Sequence, residues 1–251
     1  IKERIEKSLE EDGIISSMNV YTFHSFALRM LKVIGINFIK DLREVMIIDE
    51  TLQKKLYFSI FNKYIERLIN LEYFTNDEEE EDTEKIDYIK NKKEEFFSEI
   101  KKNKTFSKRL SDYEKENKIN TAIVEVDKDE SIIYNTWKMY EELKTKNKRI
   151  DFDDILITFR DMLLSIPTFR ESVKSNFKYI IIDEYQDTSD IQMEIINLIK
   201  QENLTIVGDD AQSIYSWRNA NVNLITNFEK DYDARLIKMN KNYRSVKKCD
   251  I

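Results

Sequence analysis

Two adjacent carboxylates, Asp183 and Glu184, directly follow a short apolar run and offer the clearest chemistry in the sequence. The run, Tyr179 to Ile182, is rich in isoleucine, which suits a strand that is buried on both faces of a parallel sheet. Ligands of such sheets collect beyond the carboxyl ends of the strands, where both acids stand. In nucleoside triphosphatases an aspartate there holds Mg2+, and a neighbouring carboxylate can orient or deprotonate the attacking water. The pair therefore predicts a magnesium and water site with Asp183 as the metal ligand.

The sequence has no matching phosphate cradle. A P-loop needs G-x-x-x-x-G-K-[ST], because its glycines let backbone N–H groups close around the phosphates and its lysine reaches the outer ones. The chain has three glycines, Gly13, Gly35 and Gly208, and none of them precedes a lysine. We therefore expect the carboxylate half of a nucleotide site without its phosphate-binding half.

Length and composition are those of a globular chain. It has 251 residues, of which 41% are hydrophobic, enough for one large domain or two smaller ones. Its one cysteine, Cys249, allows no intramolecular disulfide and is compatible with a reducing compartment, so we expect a cytoplasmic location. No apolar run approaches the ~18 residues of a membrane-spanning helix. The first residues are charged and lack an initiating methionine, so we expect the start to lie inside a longer gene product.

The chain is acidic overall, with a net charge of −7. This balance argues against a protein that coats nucleic acid without specificity, although residues 77–82 are an unbroken acidic run and the remainder is nearly neutral. Local basic patches therefore decide any binding to nucleic acid. Lysine and arginine cluster at 101–109, 144–149 and 241–248, and we expect most of these side chains to be solvated.

The pattern of residues predicts three parts along the chain. Residues 1–40 predict a helix, a strand and a second helix, whereas residues 41–149 change to long charged helices without a buried strand. We expect the acidic run at 77–82 to be a solvated or disordered loop within this helical subdomain. Residues 150–251 return to an α/β pattern. For the first two parts the predicted elements are a strand at Asn19–Thr22 and helices at Ser25–Ile34, Thr51–Asn70, Glu84–Lys102 and Ser131–Lys146.

In the third part, Asp151 to Asp154 can cap a helix with a regular apolar face. That face consists of Ile155, Leu156, Phe159, Met162 and Leu163. Strands at 179–182 and 204–207 flank a helix at 190–200, and so short a crossover forces the strands to be parallel. This arrangement brings Asp183, Glu184 and Asp209 to one edge of the sheet. A further helix is expected at 221–228 and a strand at 235–239.

Five segments resemble, in order, the motor motifs of superfamily 1 DNA helicases of the UvrD/Rep type. The segments are YTFHSF (21–26), DFDD (151–154), IDEYQDT (182–188), VGDDAQSIYSWR (207–218) and NYRS (242–245). The resemblance implies an α/β fold, a parallel-sheet RecA-like P-loop NTPase core with a mainly helical inserted subdomain. Residues 1–40 and 150–251 would form the RecA-like domain, and residues 41–149 would form the insertion.

The resemblance also implies roles in a nucleotide site. Asp183 would bind Mg2+, and Glu184 would activate water. Gln212 would sense the γ-phosphate or the water, and Arg244 would reach the γ-phosphate and stabilise charge in the transition state. Tyr243 is similar to the residue that stacks on adenine.

A second group of residues would face DNA by the same resemblance. Tyr215 and Trp217 are placed to stack bases of single-stranded DNA, and Arg218 to touch a backbone phosphate or brace this loop. Phe23 and His24, the only histidine of the chain, would lie on the DNA-facing side. The sequence departs from the family at Ser216 and Asn219, where glycine is usual, which puts the shape of the aromatic loop in question.

The function implied is that of an ATP-dependent helicase that uses ATP and Mg2+ to move 3' to 5' on single-stranded DNA. Its partners would be single-stranded DNA or single/double-strand junctions and repair or recombination proteins, with no membrane. Without a P-loop, the chain alone is expected to be inactive.

Three alternatives remain open at this point. The first is a degenerate helicase-like module that holds single-stranded DNA or a protein without hydrolysing ATP. The second is a subunit of a recombination helicase-nuclease. The third, ranked last, is a metal-dependent nuclease, since the glutamine and arginine motifs would serve no purpose in it. Its carboxylates would be Asp183, Glu184, Asp187, Asp209 and Asp210.

Overall fold

The computed structural model describes residues 19–70, 79–105, 110–119, 128–209 and 223–239. This part is mixed α/β and mostly helical, with two small strand pairs. It divides into two compact units, one within residues 1–180 and 190–204 and the other within residues 181–189 and 205–251. Among the described helices, none is both long enough and apolar enough to cross a membrane.

Thr22 begins helix α1 (Phe23–Val33) with a reciprocal capping box. The Ser25 N–H donates to Thr22 Oγ1 at 3.2 Å, and the Thr22 N–H donates to Ser25 Oγ at 2.9 Å. These bonds satisfy backbone donors at the start of the helix. The strand predicted at Asn19–Thr22 is wrong, since Thr22 serves as the cap and residues 19–22 form no strand.

A short parallel strand pair precedes and follows the helical segment. Strand β1 (Met46–Ile48) pairs with strand β2 (Arg149–Asp151), with Met46 opposite Arg149. The two strands lie where the chain leaves and re-enters the helical region. They were not predicted, because three residues, of which Met46 and Ile47 are exposed, give no readable alternation.

Five helices of the middle part pack around a core of their own. They are α2 (Glu50–Asn70), α3 (Glu79–Asn91), α4 (Lys93–Thr105), α5 (Leu110–Glu116) and α6 (Asp129–Lys146). Large aromatic side chains dominate this core, among them Tyr57, Phe61, Phe96 and Trp137. The helix predicted at Glu84–Lys102 is in fact two helices, and residues 79–82 of the acidic run belong to α3 rather than to a loop.

A second core is formed by α1 together with three helices of the third part. These are α7 (Phe152–Ser165), α8 (Pro167–Lys174) and α9 (Asp190–Ile199). The predicted face of α7 is confirmed, because its five apolar residues are all buried. Pro167 stands at the first turn of α8, where its missing N–H costs nothing.

The second strand pair consists of β3 (Ile180–Ile182) and β4 (Leu204–Ile206). The Ile180 N–H donates to Asn203 O at 3.0 Å and the Val207 N–H to Ile182 O at 2.8 Å, so the partners advance together and the strands are parallel. The prediction that this strand is buried on both faces is wrong, since among the described residues Ile181 is 63% exposed.

Helix α10 (Asn223–Tyr232) follows in the second unit. It corresponds to the helix predicted at 221–228. The strand predicted at 235–239 is wrong, because these residues form no regular structure.

Candidate active site

The two predicted carboxylates follow β3 on a sharp turn. Both Asp183 and Glu184 are exposed, and Glu184 has a left-handed backbone with φ of 50°. This conformation lets the chain turn from the strand into the short 3-10 helix Tyr185–Asp187, while the Tyr185 N–H donates to Val207 O at 2.9 Å. Non-glycine residues pay roughly 1–2 kcal/mol for such a backbone. The strain is held at one of the two exposed carboxylates.

Gln186 connects this turn to the residue beyond the neighbouring strand. Its side chain is 2% exposed. Gln186 Nε2 donates to Glu184 Oε2 at 2.7 Å, and Gln186 Oε1 accepts from the Asp209 N–H at 3.1 Å. Together these bonds bring Glu184 and Asp209 close to one another, which confirms the prediction that the two meet at one edge of the strand pair.

Gly208 allows Gln186 to lie this close. A Cβ atom at position 208 would be 2.5 Å from Gln186 Oε1, 2.8 Å from Ile225 Cδ1 and 3.2 Å from the Tyr185 backbone nitrogen. The backbone contact cannot yield as a flexible side chain can. Any larger residue would therefore displace the amide that holds Glu184.

Asp187 ends the same turn in a different environment. Its Oδ1 atom is shielded from solvent and has no hydrogen-bond partner among the described residues. Burial raises the pKa of Asp187, and the nearby Glu184 carboxylate raises it further. Asp187 is therefore a poorer anion than the exposed pair before it.

Aromatic packing supports the turn from behind. The Tyr185 ring is fully buried and meets Phe228 of α10 edge to face at 5.5 Å. Phe228 in turn stacks on Tyr232 at 4.5 Å. The short turn is thus anchored by a buried side chain, while Asp183 and Glu184 stay exposed.

Two residues of the predicted DNA-facing group, Phe23 and His24, are described, and both belong to the unit within residues 1–180 and 190–204. Phe23 is partly buried against the core of that unit. The His24 ring stacks on Phe152 at 4.0 Å, with only 17° between the ring planes. Burial lowers the pKa of His24 and so favours a neutral ring. The Asp153 carboxylate raises this pKa, but its effect is smaller than that of burial. Phe152, 53% exposed beside His24, was not predicted as a site residue.

A buried ionic cluster holds the DFDD segment at the start of α7. Lys104 Nζ lies 2.6 Å from Asp151 Oδ2 and 2.7 Å from Asp154 Oδ1. Lys144 Nζ lies 2.6 Å from Asp154 Oδ2 and 2.8 Å from Glu141 Oε2. The expectation that the lysine clusters are mostly solvated is wrong for these two, whose side chains are 2% and 3% exposed.

The same three carboxylates have the spacing of a metal site. Glu141, Asp151 and Asp154 each place an oxygen within 4.8 Å of the others. The ammonium groups of Lys104 and Lys144 already supply the positive charge that such a group attracts. Burial disfavours the charge of Asp151, but the two lysines prevail and lower its pKa. This cluster is an ion-pair network rather than a metal centre.

Six predicted site residues, namely Gln212, Tyr215, Trp217, Arg218, Tyr243 and Arg244, lie outside the described residues. Their roles stay predictions. Gln186 was quoted within its motif but given no role. Only the folded chain shows that its amide spans two strand ends, so the residue type alone gave no signal.

The described site has the elements of a hydrolytic carboxylate centre. Asp183 and Glu184 are exposed at the end of the parallel strand β3. The buried Gln186 amide donates to Glu184 and accepts from Asp209, which lies beyond the end of β4. Residues 1–233 match the model of the UvrD/REP helicase N-terminal domain, and the chain therefore belongs to that family. The predicted resemblance to UvrD/Rep-type helicases is confirmed.

The chain is also similar to curated proteins named ATP-dependent DNA helicase PcrA. It is 33% identical to the protein of Leuconostoc citreum over 98% of this chain and 29% of the relative. It is 31% identical to the proteins of Staphylococcus aureus and Staphylococcus epidermidis, over 98% of this chain and 30% of each relative. The chain thus spans about 30% of the length of the curated relatives it matches.

Proposed function

We propose that this chain supplies the hydrolytic carboxylates of an ATP-dependent DNA helicase that moves 3' to 5' on single-stranded DNA. The observation that carries the proposal is the Asp183–Glu184 pair at the end of β3, with Glu184 fixed by the buried Gln186. Family membership supports the helicase class. The names of the relatives support dependence on ATP.

The described residues fit a Mg2+ ion with phosphate ligands. Asp183 is an exposed carboxylate, and one of its oxygens accepts the Glu184 N–H at 3.0 Å. Mg2+ prefers few protein carboxylates and keeps waters or phosphate oxygens as its other ligands. When bound, the ion would neutralise charge on the phosphates. Glu184 would accept the proton of the attacking water, and its bond to Gln186 keeps the carboxylate aimed.

The other roles belong to the same proposal. Gln212 would sense the γ-phosphate, Tyr243 would stack on adenine, and Arg244 would stabilise charge in the transition state. DNA would contact Tyr215, Trp217 and Arg218, together with Phe23 and His24 near the start of α1. The substrates would be single-stranded DNA or single/double-strand junctions, and repair or recombination proteins would be partners.

The architecture is proposed on similar grounds. Residues 1–40 and 150–251 would form a RecA-like P-loop NTPase core, and residues 41–149 would form a helical insertion. Separate hydrophobic cores, one among α2–α6 and one among α1 and α7–α9, support this division. The cytoplasmic location and the role in DNA repair stay predictions.

A Glu184→Gln substitution in the full-length gene product tests the proposal. Glutamine keeps the size of the side chain but is a far weaker base, so ATP turnover stimulated by single-stranded DNA should fall about 10²- to 10⁴-fold. The exposed Glu202→Gln variant is the matched control and should retain wild-type turnover. Steady-state ATPase assays measure both, and an E184Q variant with wild-type turnover would sink the proposal.

The second candidate is a helicase-like module that binds single-stranded DNA or a protein without using ATP. A G-x-x-x-x-G-K-[ST] segment in the gene upstream of Ile1 would favour the motor, and its absence there would favour the module. The same assay separates the two, because the module would bind DNA with no ATP turnover in the wild type.

A further inference from the structure

We infer that Gln186 is a positioning residue that fixes the Glu184 carboxylate and ties it to the chain beyond β4. This inference rests on the proposed function. It assigns Gln186 a role that is exerted through its contact with Glu184. Its basis is the pair of hydrogen bonds that one buried side chain makes at the ends of two strands.

The two partners fix the orientation of the amide. The Asp209 N–H can only donate, so it requires the oxygen of Gln186, and the Glu184 carboxylate then receives the nitrogen. Rotating the amide by 180° would set oxygen against carboxylate and N–H against N–H. Both bonds therefore form together, or neither forms well.

Glu184 needs such a partner because its side chain is exposed. A free glutamate samples several rotamers, whereas a reacting group must be held close to one geometry. Gln186 is itself immobilised, since it is 2% exposed and packed onto Gly208. Its bond uses Glu184 Oε2, which leaves Oε1 as the proton acceptor.

The second bond reaches the segment with the other proposed roles. Asp209 directly precedes residues 210–218, which contain Gln212, Tyr215 and Trp217. A shift of the Asp209 backbone would remove the hydrogen bond on Gln186 Oε1 and free the amide. The alignment of Glu184 would then depend on the state of this segment, which couples DNA binding to ATP hydrolysis.

Two substitutions in the full-length gene product separate the donor from the acceptor. Gln186→Met keeps the length of the side chain but removes both bonds. Gln186→Glu keeps an oxygen for the Asp209 N–H but replaces the donor to Glu184 with a second carboxylate. The control is Gln201→Met, which also removes two hydrogen bonds, those from Gln201 Nε2 to Lys174 O at 2.7 Å and Phe177 O at 2.9 Å.

The readouts are kcat and KM for ATP, each with and without an oligothymidylate, and the melting temperature. Misplacement of a reacting group costs up to about 10²-fold in rate, so both Gln186 variants should lose about 10-fold or more in kcat with KM little changed. The stimulation of kcat by DNA should fall in Q186M, whereas Q201M should match the wild type in kcat and KM with and without DNA, even where its melting temperature falls.

Three results would overturn the inference. Wild-type kcat in Q186M, or recovery of kcat in Q186E, would remove the positioning role. Equal losses with and without DNA, in step with a lower melting temperature, would make Gln186 merely structural. A wild-type protein without DNA-stimulated ATPase would instead refute the proposed function itself, and this role with it.

Discussion

Glu184 combines a strained backbone with an exposed carboxylate, and its neighbours explain why both persist. Its left-handed conformation is held by the Tyr185 N–H bond to Val207 O and by the buried Tyr185 ring. Its carboxylate is held by Gln186. The strain is therefore offset by contacts of adjacent residues, and the Glu184 carboxylate is kept at the surface in one orientation.

Gly208→Ala tests how closely Gln186 must approach this turn. The new Cβ would lie 2.5 Å from Gln186 Oε1 and 3.2 Å from the Tyr185 backbone nitrogen, so we expect a loss of about 1–3 kcal/mol in unfolding free energy. Gly35→Ala is the control, because its nearest atoms, Leu42 Cδ1 at 3.1 Å and Met162 Cε at 3.4 Å, end flexible side chains. Urea unfolding measures both variants. Equal stability of G208A and wild type would show that a Cβ atom at position 208 does not clash with Gln186 and Tyr185.

Among the elements, the ionic cluster joins α4 and α6 to the start of α7. Lys104 comes from α4 and Lys144 from α6, and both reach the capping residues Asp151 and Asp154. Tyr140 and Gln53 add hydrogen bonds to Asp151 Oδ2 at 3.1 and 3.2 Å. The N-terminal cap of α7 is thus shared with the helical segment, which fixes Phe152 and, through ring stacking, His24.

Lys104→Met should therefore be strongly destabilising. Methionine fills the space of the lysine stem but leaves the buried Asp151 and the partly buried Asp154 and Glu141 with Lys144 as the ammonium group they share. Breaking a buried pair on one side costs about 3–5 kcal/mol in unfolding free energy. Lys102→Met, on the same helix but with a side chain 65% exposed, should change stability by less than about 0.5 kcal/mol. Urea unfolding compares the two, and similar losses in both would exclude the cluster as a source of stability.

The elements also show which features the sequence could reveal. The face of α7 was predictable because five apolar residues keep helical spacing behind an aspartate cap. The break between α3 and α4 was not predictable, because neither glycine nor proline stands at the point where one helix ends and the next begins. Burial of Lys104 depends on Asp151, 47 residues away, and the role of Gln186 on Asp209, 23 residues away. Such contacts arise from tertiary structure and leave no local pattern.

At the scale of the whole molecule, the described residues of the predicted nucleotide site and those of the predicted DNA-facing group lie in different compact units. Asp183 and Glu184 belong to one unit, and Phe23 and His24 belong to the other. Each unit has its own packing around the residues concerned. Both partners of Gln186, Glu184 and Asp209, belong to the same unit as Asp183, so the contacts assigned to Gln186 lie within that unit.

The isolated 251-residue chain should have no measurable ATPase activity. Its carboxylates could activate water, but it contains no G-x-x-x-x-G-K-[ST] segment to hold the phosphates against them. We expect turnover with Mg2+ and single-stranded DNA to equal that of an E184Q version of the same chain, which reports any contaminating ATPase. The full-length gene product, assayed beside them, should turn over ATP. Mg2+-dependent turnover by the isolated chain that E184Q abolishes would mean that these residues hold the nucleotide without a P-loop.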